Sequence, residues 1–399
     1  MSDEVIVMGN GIIGSLTSIK LAEAGLDVRL VGPMDRNGSA STAAGAMINV
    51  YGEVDKPLDD YAIRKLELGH KGTKMWRAML PPEIFTAERT EVYVDEGCSD
   101  LELAAFNSIS KAAGSLISQE ENTGRMHIPL PDEPAVDTKL LFRWLDRELR
   151  RLGVKSVAGT TASPHDKYVY CTGAATVPHI KTLPVFYGVG TAMLVDAQID
   201  IPKRTVMRTP NRGNTCGMHI VPRDSGFYVG AGSFISKTPT YGYRLETIQY
   251  LAKCLADDFG VDVWQMGIEP VKGYRPMSFD GKPMLGPLEA NPNTYVATGT
   301  KRDGLTYAPC IADDIVDWAT GKRSGVFDGW EPDRKPICYG EDALDDYIKN
   351  RQAALQAHGR DITEVAATEE WMTATENAVL DLGVSENITL HPEIIGVLL

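Results

Sequence analysis

The residues best placed to do chemistry stand at the start of the 399-residue chain. Gly9-Asn10-Gly11-Ile12-Ile13-Gly14 is a GxGxxG directly after the apolar run Val5-Ile6-Val7-Met8. That spacing suits a pyrophosphate. Gly9 permits a tight strand-to-helix turn, Gly11 lets backbone approach the phosphates, and Gly14 lets the helix lie close to the strand. Ile12 and Ile13 open the helix, whose N-terminal N–H groups and positive dipole end face an anion. An acid that holds an adenosine ribose usually ends the second strand. Here that place reads Val31-Gly32-Pro33, leaving Asp35 or backbone groups to serve. The six cysteines, Cys98, Cys171, Cys216, Cys254, Cys310 and Cys338, form no CxxC pair and no metal-ligand spacing. They read as free thiols of a reducing cytoplasm, and no metal is expected.

Four later segments sharpen the chemistry. Ser39-Ala40-Ser41-Thr42-Ala43-Ala44-Gly45-Ala46-Met47-Ile48 is a run of small residues after the second strand. Tyr168-Val169-Tyr170-Cys171-Thr172-Gly173-Ala174 is a strand closed by a Thr-Gly-Ala turn. Gly273-Tyr274-Arg275-Pro276-Met277-Ser278-Phe279-Asp280-Gly281-Lys282-Pro283-Met284-Leu285-Gly286-Pro287 precedes Tyr295-Val296-Ala297-Thr298-Gly299-Thr300-Lys301-Arg302-Asp303-Gly304-Leu305. In this order, over about residues 4 to 322, the motifs resemble those of the D-amino-acid oxidase, glycine oxidase and sarcosine oxidase family.

The resemblance implies FAD as cofactor. It places Ser39, Ser41, Thr42, Ala44, Gly45 and Met47 beside the flavin, Thr172 and Gly173 at a cofactor turn, and Gly299, Arg302, Asp303, Gly304 and Leu305 in a flavin loop. It also implies that Arg275 and Arg302 face a substrate carboxylate, for which a planar, always-charged guanidinium is suited. Asp303 stands where the family often has Asn, and can pair with Arg302 or Lys301. His219 takes a pocket position often held by Tyr, to contact substrate or titrate near neutral pH. Lys301 and Lys272 fall near the flavin, where a cation would stabilise its anionic reduced form. Tyr241, Tyr243 and Tyr274 are candidate pocket walls. The expected reaction is oxidation of a small amine or amino acid, glycine-like or N-substituted, by hydride transfer to flavin. It gives an imine or keto product, with molecular oxygen as acceptor and hydrogen peroxide as by-product. The alternative is a lyase that cleaves a C–N bond of an amino acid attached to a larger molecule, either a natural-product intermediate or an amino-acid-modified DNA base as in phage hypermodification.

These residues need elements to hold them. Val5–Met8 and Asp27–Val31 read as buried parallel strands around a helix with apolar Ile13, Leu16, Ile19, Leu21 and Ala22, stopped by Gly25. Lys139–Leu152 is amphipathic. Thr205–Arg208, Met218–Pro222 and Gly226–Gly230 lie between Gly, Pro and Asn breakers and predict antiparallel strands, and Tyr243–Phe259 predicts a helix. The expected class is α/β with an α+β substrate domain. A discontinuous Rossmann-like FAD domain comprises residues 1–50, 137–190 and 268–330. An antiparallel-sheet substrate domain comprises 51–136 and 191–267, and an acidic helical extension 331–399.

The charge is uneven. The chain has 40 Lys+Arg, 54 Asp+Glu and a net charge of −14, but the last 69 residues supply 14 of the acids and only five of the bases. Acidity therefore belongs mainly to the extension, which is read as a packed appendage or a homo-oligomer contact. General nucleic-acid binding, which needs a basic face, is disfavoured, yet a local site for an anionic or nucleotide-linked substrate is compatible with the nearly neutral body. No apolar run is long enough for a membrane span, and no signal peptide precedes the first strand, which points to the cytoplasm.

Overall fold

The computed structural model describes residues 4–33, 35–159, 166–175, 185–211, 217–236, 239–240, 242–243, 245–278 and 280–334. Tyr241, Cys216, Cys338 and residues 335–399 of the expected helical extension lie outside the described residues.

The chain opens with β1 (Val5–Met8), α1 (Ile12–Glu23) and β2 (Val28–Val31). It then makes α2 (Asp60–Met79), β3 (Phe85–Ala87), β4 (Arg89–Val94), α3 (Asp100–Ala113), β5 (Ser118–Gln119), β6 (Met126–Leu130) and β7 (Ala135–Val136). Next come α4 (Thr138–Arg151), β8 (Lys155–Val157), β9 (Lys167–Tyr170), β10 (Val185–Asp196), β11 (Thr205–Arg208), β12 (His219–Pro222) and β13 (Phe227–Ser236). The described part closes with α5 (Leu245–Phe259), β14 (Gly267–Ser278), β15 (Met284–Leu288), β16 (Asn291–Thr298) and α6 (Gly304–Ala319).

Two sheets share the work. A six-stranded sheet runs β15-β16-β9-β1-β2-β8, parallel except for the β15–β16 edge pair. Its strands read as apolar runs because helices cover them: Val5, Val7, Leu30 and Val169 pack with Leu16 and Ile19 of α1, Leu141 and Leu145 of α4, and Ile311 and Ile315 of α6. Asp137 caps α4 by accepting the Leu140 N–H at 2.9 Å. An eight-stranded sheet runs β14-β10-β13-β12-β11-β4-β6-β5, antiparallel except where β11 meets β4. β14 pairs with β10 along its whole length, from Gly267 opposite Asp196 to Ser278 opposite Val185. Residues 185–190 and 268–278, which the motif order assigns to the cofactor domain, thus form strands of this second sheet.

α2 packs closely against the start of α6. A Cβ on Gly72 would come within 1.9 Å of the Thr306 carbonyl oxygen, so only glycine allows this approach. Four residues on, Trp76 is fully buried and donates its indole N–H to the Leu305 carbonyl at 2.8 Å.

Candidate active site

The GxGxxG turn sits at the C-terminal ends of β1 and β9, where open α/β sheets bind ligands. Gly9 has φ +105°, and a Cβ there would come within 2.3 Å of the Cys171 carbonyl oxygen. A Cβ on Gly14 would lie 1.8 Å from the Gly9 carbonyl oxygen. The turn that begins α1 therefore tolerates no side chain at either position. The Ile12 N–H donates to Ser41 Oγ at 3.1 Å, which brings the small-residue run onto the N-terminus of α1. The Thr172-Gly173 turn lies against Gly9, and the Gly173 carbonyl accepts from Thr298 Oγ1 at 2.9 Å.

The 39–48 run lies between this turn and the second sheet. Ser39 bridges to Tyr274 of β14, and Met47 to Ala135 of β7. Tyr228 of β13 donates its hydroxyl to the Ala43 carbonyl at 2.9 Å, and Arg223 donates to the Gly45 carbonyl at 3.0 Å. The His219 ring, on β12, stacks on Tyr228 with centroids 5.8 Å apart. Thr42 folds back on Ser39, its N–H 3.2 Å from Ser39 Oγ.

Beyond Met47 the walls turn polar and charged. Met47, Asn49, Thr209, His219, Arg275 and Arg302 all line one cavity. Arg302 donates to Glu53 Oε1 at 2.6 Å, and Lys301 to Glu53 Oε2 at 2.8 Å. Burial alone would raise the Glu53 pKa. Arg302, Lys301 and Lys65 outweigh it and hold that carboxyl well below its ordinary value. Lys65 of α2 also pairs with Asp303 at 2.7 Å. A third arginine in the cavity wall, Arg208, is paired with Glu133 at 3.3 Å, both residues being buried. Arg275 differs. Its guanidinium lies over Gly190 of β10, where a Cβ would come within 2.6 Å of both terminal nitrogens. Its Nη1 is buried and has no hydrogen-bond partner among the described residues. Burial first, then Arg275 and Arg302, push the His219 pKa down to about 3.

Residues 4–318 match the model of a family described as FAD dependent oxidoreductase. The chain belongs to that family. A glycine oxidase of Pseudomonas aeruginosa is 25% identical over 375 residues, covering 81% of this chain and 96% of the relative. A glycine oxidase of Bacillus licheniformis is 23% identical, covering 84% and 98%. In fold, the chain resembles the crystal structure of glycine oxidase from Geobacillus kaustophilus, with a TM-score of 0.67 at 16% identity over 84% of this chain and 100% of that one. It equally resembles iminodiacetate oxidase from Chelativorans sp., with a TM-score of 0.66 at 16% identity over 82% and 98%.

This FAD-dependent oxidoreductase offers its cofactor a fitting cradle. Gly9 and Gly14 let the turn fold tightly against Cys171 and against itself, and the Ser39–Met47, Thr172–Gly173 and Gly299–Leu305 segments gather around it. Gly304 opens α6 beside Ile13 of α1. Asp35 accepts from its neighbour Asn37 at 2.6 Å. The Asn10 side chain fills the space in front of Gly32, where the ribose acid is usually found.

Several expectations need correction. Asp303 pairs with Lys65; Glu53 is the acid that takes Arg302 and Lys301. His219 titrates near pH 3, far from neutrality, because it is buried beside cations. Lys272 donates to the Thr240 and Gly242 carbonyls at 2.6 and 3.0 Å, and so braces a loop. Tyr243 is 47% exposed and stacks against Lys272 rather than walling the cavity. Tyr274 donates to the Thr240 carbonyl at 2.8 Å. Glu53, Lys65, Asn49, Arg208 and Thr209 escape a reading of the sequence, because single polar residues, whether in a loop, a short strand or a helix, belong to no motif that marks them.

Proposed function

We propose that this FAD-dependent oxidoreductase oxidises a small amino acid or N-substituted glycine at the cavity beside Arg275. One observation carries the reading: Arg275 is the cavity arginine left without an acid partner among the described residues, and its buried Nη1 is unpaired. A partly buried guanidinium with an unpaired nitrogen favours an anion that can accept from its fork, and a carboxylate does so. Among the described residues Glu53 pairs with Arg302 and Glu133 with Arg208, so Arg275 is the cavity guanidinium that a carboxylate would answer.

Bound FAD supplies the two-electron acceptor. The chain's own residues do the rest. Arg275 fixes the carboxylate and thereby the direction of the substrate's Cα–H. His219 stays neutral and so does not repel a cation or trap the carboxylate away from Arg275. The paired Arg302 and Lys301 hold the 299–305 loop against Glu53. The substrate loses two electrons and two protons to become an imine, water hydrolyses the imine to a keto product and an amine, and dioxygen is the final acceptor, giving hydrogen peroxide. Cys98, Cys171, Cys254 and Cys310 stand outside any disulfide, which suits a cytoplasmic enzyme. Nothing in the site or the relatives favours the C–N-cleaving alternative.

Anaerobic mixing of the holoenzyme with glycine, sarcosine and small amino acids is expected to bleach the flavin absorbance with at least one of them. Arg275→Met is expected to lower kcat/KM about 100-fold while leaving bound FAD in place. Failure of every amino acid to bleach the flavin would sink the proposal.

A further inference from the structure

Three residues that line the same cavity each carry a buried polar atom without a hydrogen-bond partner among the described residues: Arg275 Nη1, Asn49 Oδ1 and Thr209 Oγ1. Thr209 is only 3% exposed. A buried oxygen left without a hydrogen bond costs about 1–3 kcal/mol, so such atoms are rarely gathered without something to satisfy them. Two chain segments bring them together. Asn49 packs its amide against Gly52, where a Cβ would fall 2.5 Å from Oδ1. Asn211 donates to the Gly52 carbonyl at 2.9 Å, which ties the Thr209–Asn211 segment to the Asn49–Gly52 turn. Gly217 closes over the Thr209 hydroxyl, since a Cβ there would come within 2.7 Å of it.

We propose that Asn49 and Thr209 form a second polar subsite that receives a neutral hydrogen-bond donor, a hydroxyl or amide N–H, carried by the substrate's side chain or N-substituent. The proposal rests on the amino-acid reading above and narrows it to substrates with a carboxylate and a neutral polar group. An amide oxygen only accepts, so its partner must donate. An ammonium donor is disfavoured, because Arg275 lines the cavity without an acid partner among the described residues. A methyl group would leave both oxygens unpaired. A hydroxyl also suits the amide turned over, since it then accepts from Nδ2 and still meets the threonine hydroxyl.

The test uses unreactive carboxylates on the holoenzyme, followed by perturbation of the flavin absorbance and by calorimetry. The pairs differ only in hydroxyl for methyl: glycolate and propionate, 3-hydroxypropionate and butyrate, 4-hydroxybutyrate and valerate. We expect the hydroxyl member of one of the two longer pairs to bind about tenfold tighter or more, as in sites built to hydrogen-bond a substrate group. Asn49→Leu combined with Thr209→Val is expected to erase that preference while carboxylate binding persists. Equal binding within every pair, with binding still lost in Arg275→Met, would overturn the subsite alone. A preference confined to glycolate, whose hydroxyl stands in for the substrate's amine, would also overturn it, as would a shift of the unliganded flavin spectrum in the double variant without loss of preference. Failure of all six carboxylates to bind would overturn the carboxylate clamp together with the subsite. The wild-type comparison requires no variant to fold.

Discussion

At the scale of single residues, the site is organised by which charges have been answered and which have not. Glu53 pairs with both Arg302 and Lys301, Glu133 pairs with Arg208, and Arg275 has no acid partner among the described residues. His219 sits among these cations as a neutral ring. Its folded pKa of about 3 lies below the ordinary 6.5, so between those values the unfolded chain binds the proton that the folded chain refuses. Stability is then lost as pH falls from about 6.5 toward 3, by about 2 kcal/mol from this group at pH 5. Urea unfolding of wild type and His219→Gln at pH 7 and pH 5 checks this. The acid-induced loss is expected to be smaller in the variant. An equal loss in both would mean that His219 is not the buried neutral group described. The glycines and Arg275 were legible in the sequence because each belongs to a motif with fixed spacing. Glu53 was not, since it reaches its partners across 248 and 249 residues of chain and only the fold brings them together.

At the scale of elements, the loop from Gly299 to Leu305 depends on a helix from elsewhere in the chain. α2 presents Lys65 to Asp303, Gly72 to the Thr306 carbonyl and Trp76 to the Leu305 carbonyl. Gly72→Ala forces a methyl group into a carbonyl oxygen and is expected to destabilise the protein by about 1–3 kcal/mol, the usual cost of overpacking. Because the displaced backbone leads out of the 299–305 loop, FAD affinity should weaken as well. Denaturant unfolding and FAD titration read the two effects, and unchanged values in both would show that the contact is slack. Periodicity revealed α4 and α5 and the strands around Met207 and Val221 to within a few residues. β14 was harder. Its Arg-Pro motif belongs to the family's cofactor signature, yet its backbone pairs with β10 in the other sheet. A motif records what a segment touches, while hydrogen bonding decides the layer to which it belongs.

At the scale of the whole molecule, the small-residue run 39–48 is held from both sides, by Ser41 at α1 and by Tyr228, Arg223 and Tyr274 at the second sheet. A cofactor lying along that run contacts groups from both layers, so its binding energy should be shared by the whole fold. Thermal unfolding of the holoenzyme is expected to show one transition. Its midpoint should rise with free FAD, and saturation to about 100 times the dissociation constant should contribute about 2.7 kcal/mol. Two separate transitions, only one of them responsive to FAD, would contradict a shared site.

The order of strands in the parallel sheet has a consequence for synthesis. β1 lies between β2 and β9, and β9 meets β16, so the sheet that starts at residue 5 is completed only by residues 291–298. The phosphate turn at residues 9–14 leaves the ribosome well before β16 is made, yet the sheet around it must wait for residues 291–298. At roughly 5–20 residues per second, that wait lasts on the order of 15–60 s. Early in it β1 still lacks β9, later β9 lacks β16, and capture of FAD has to follow the making of β16 and of the loop after it.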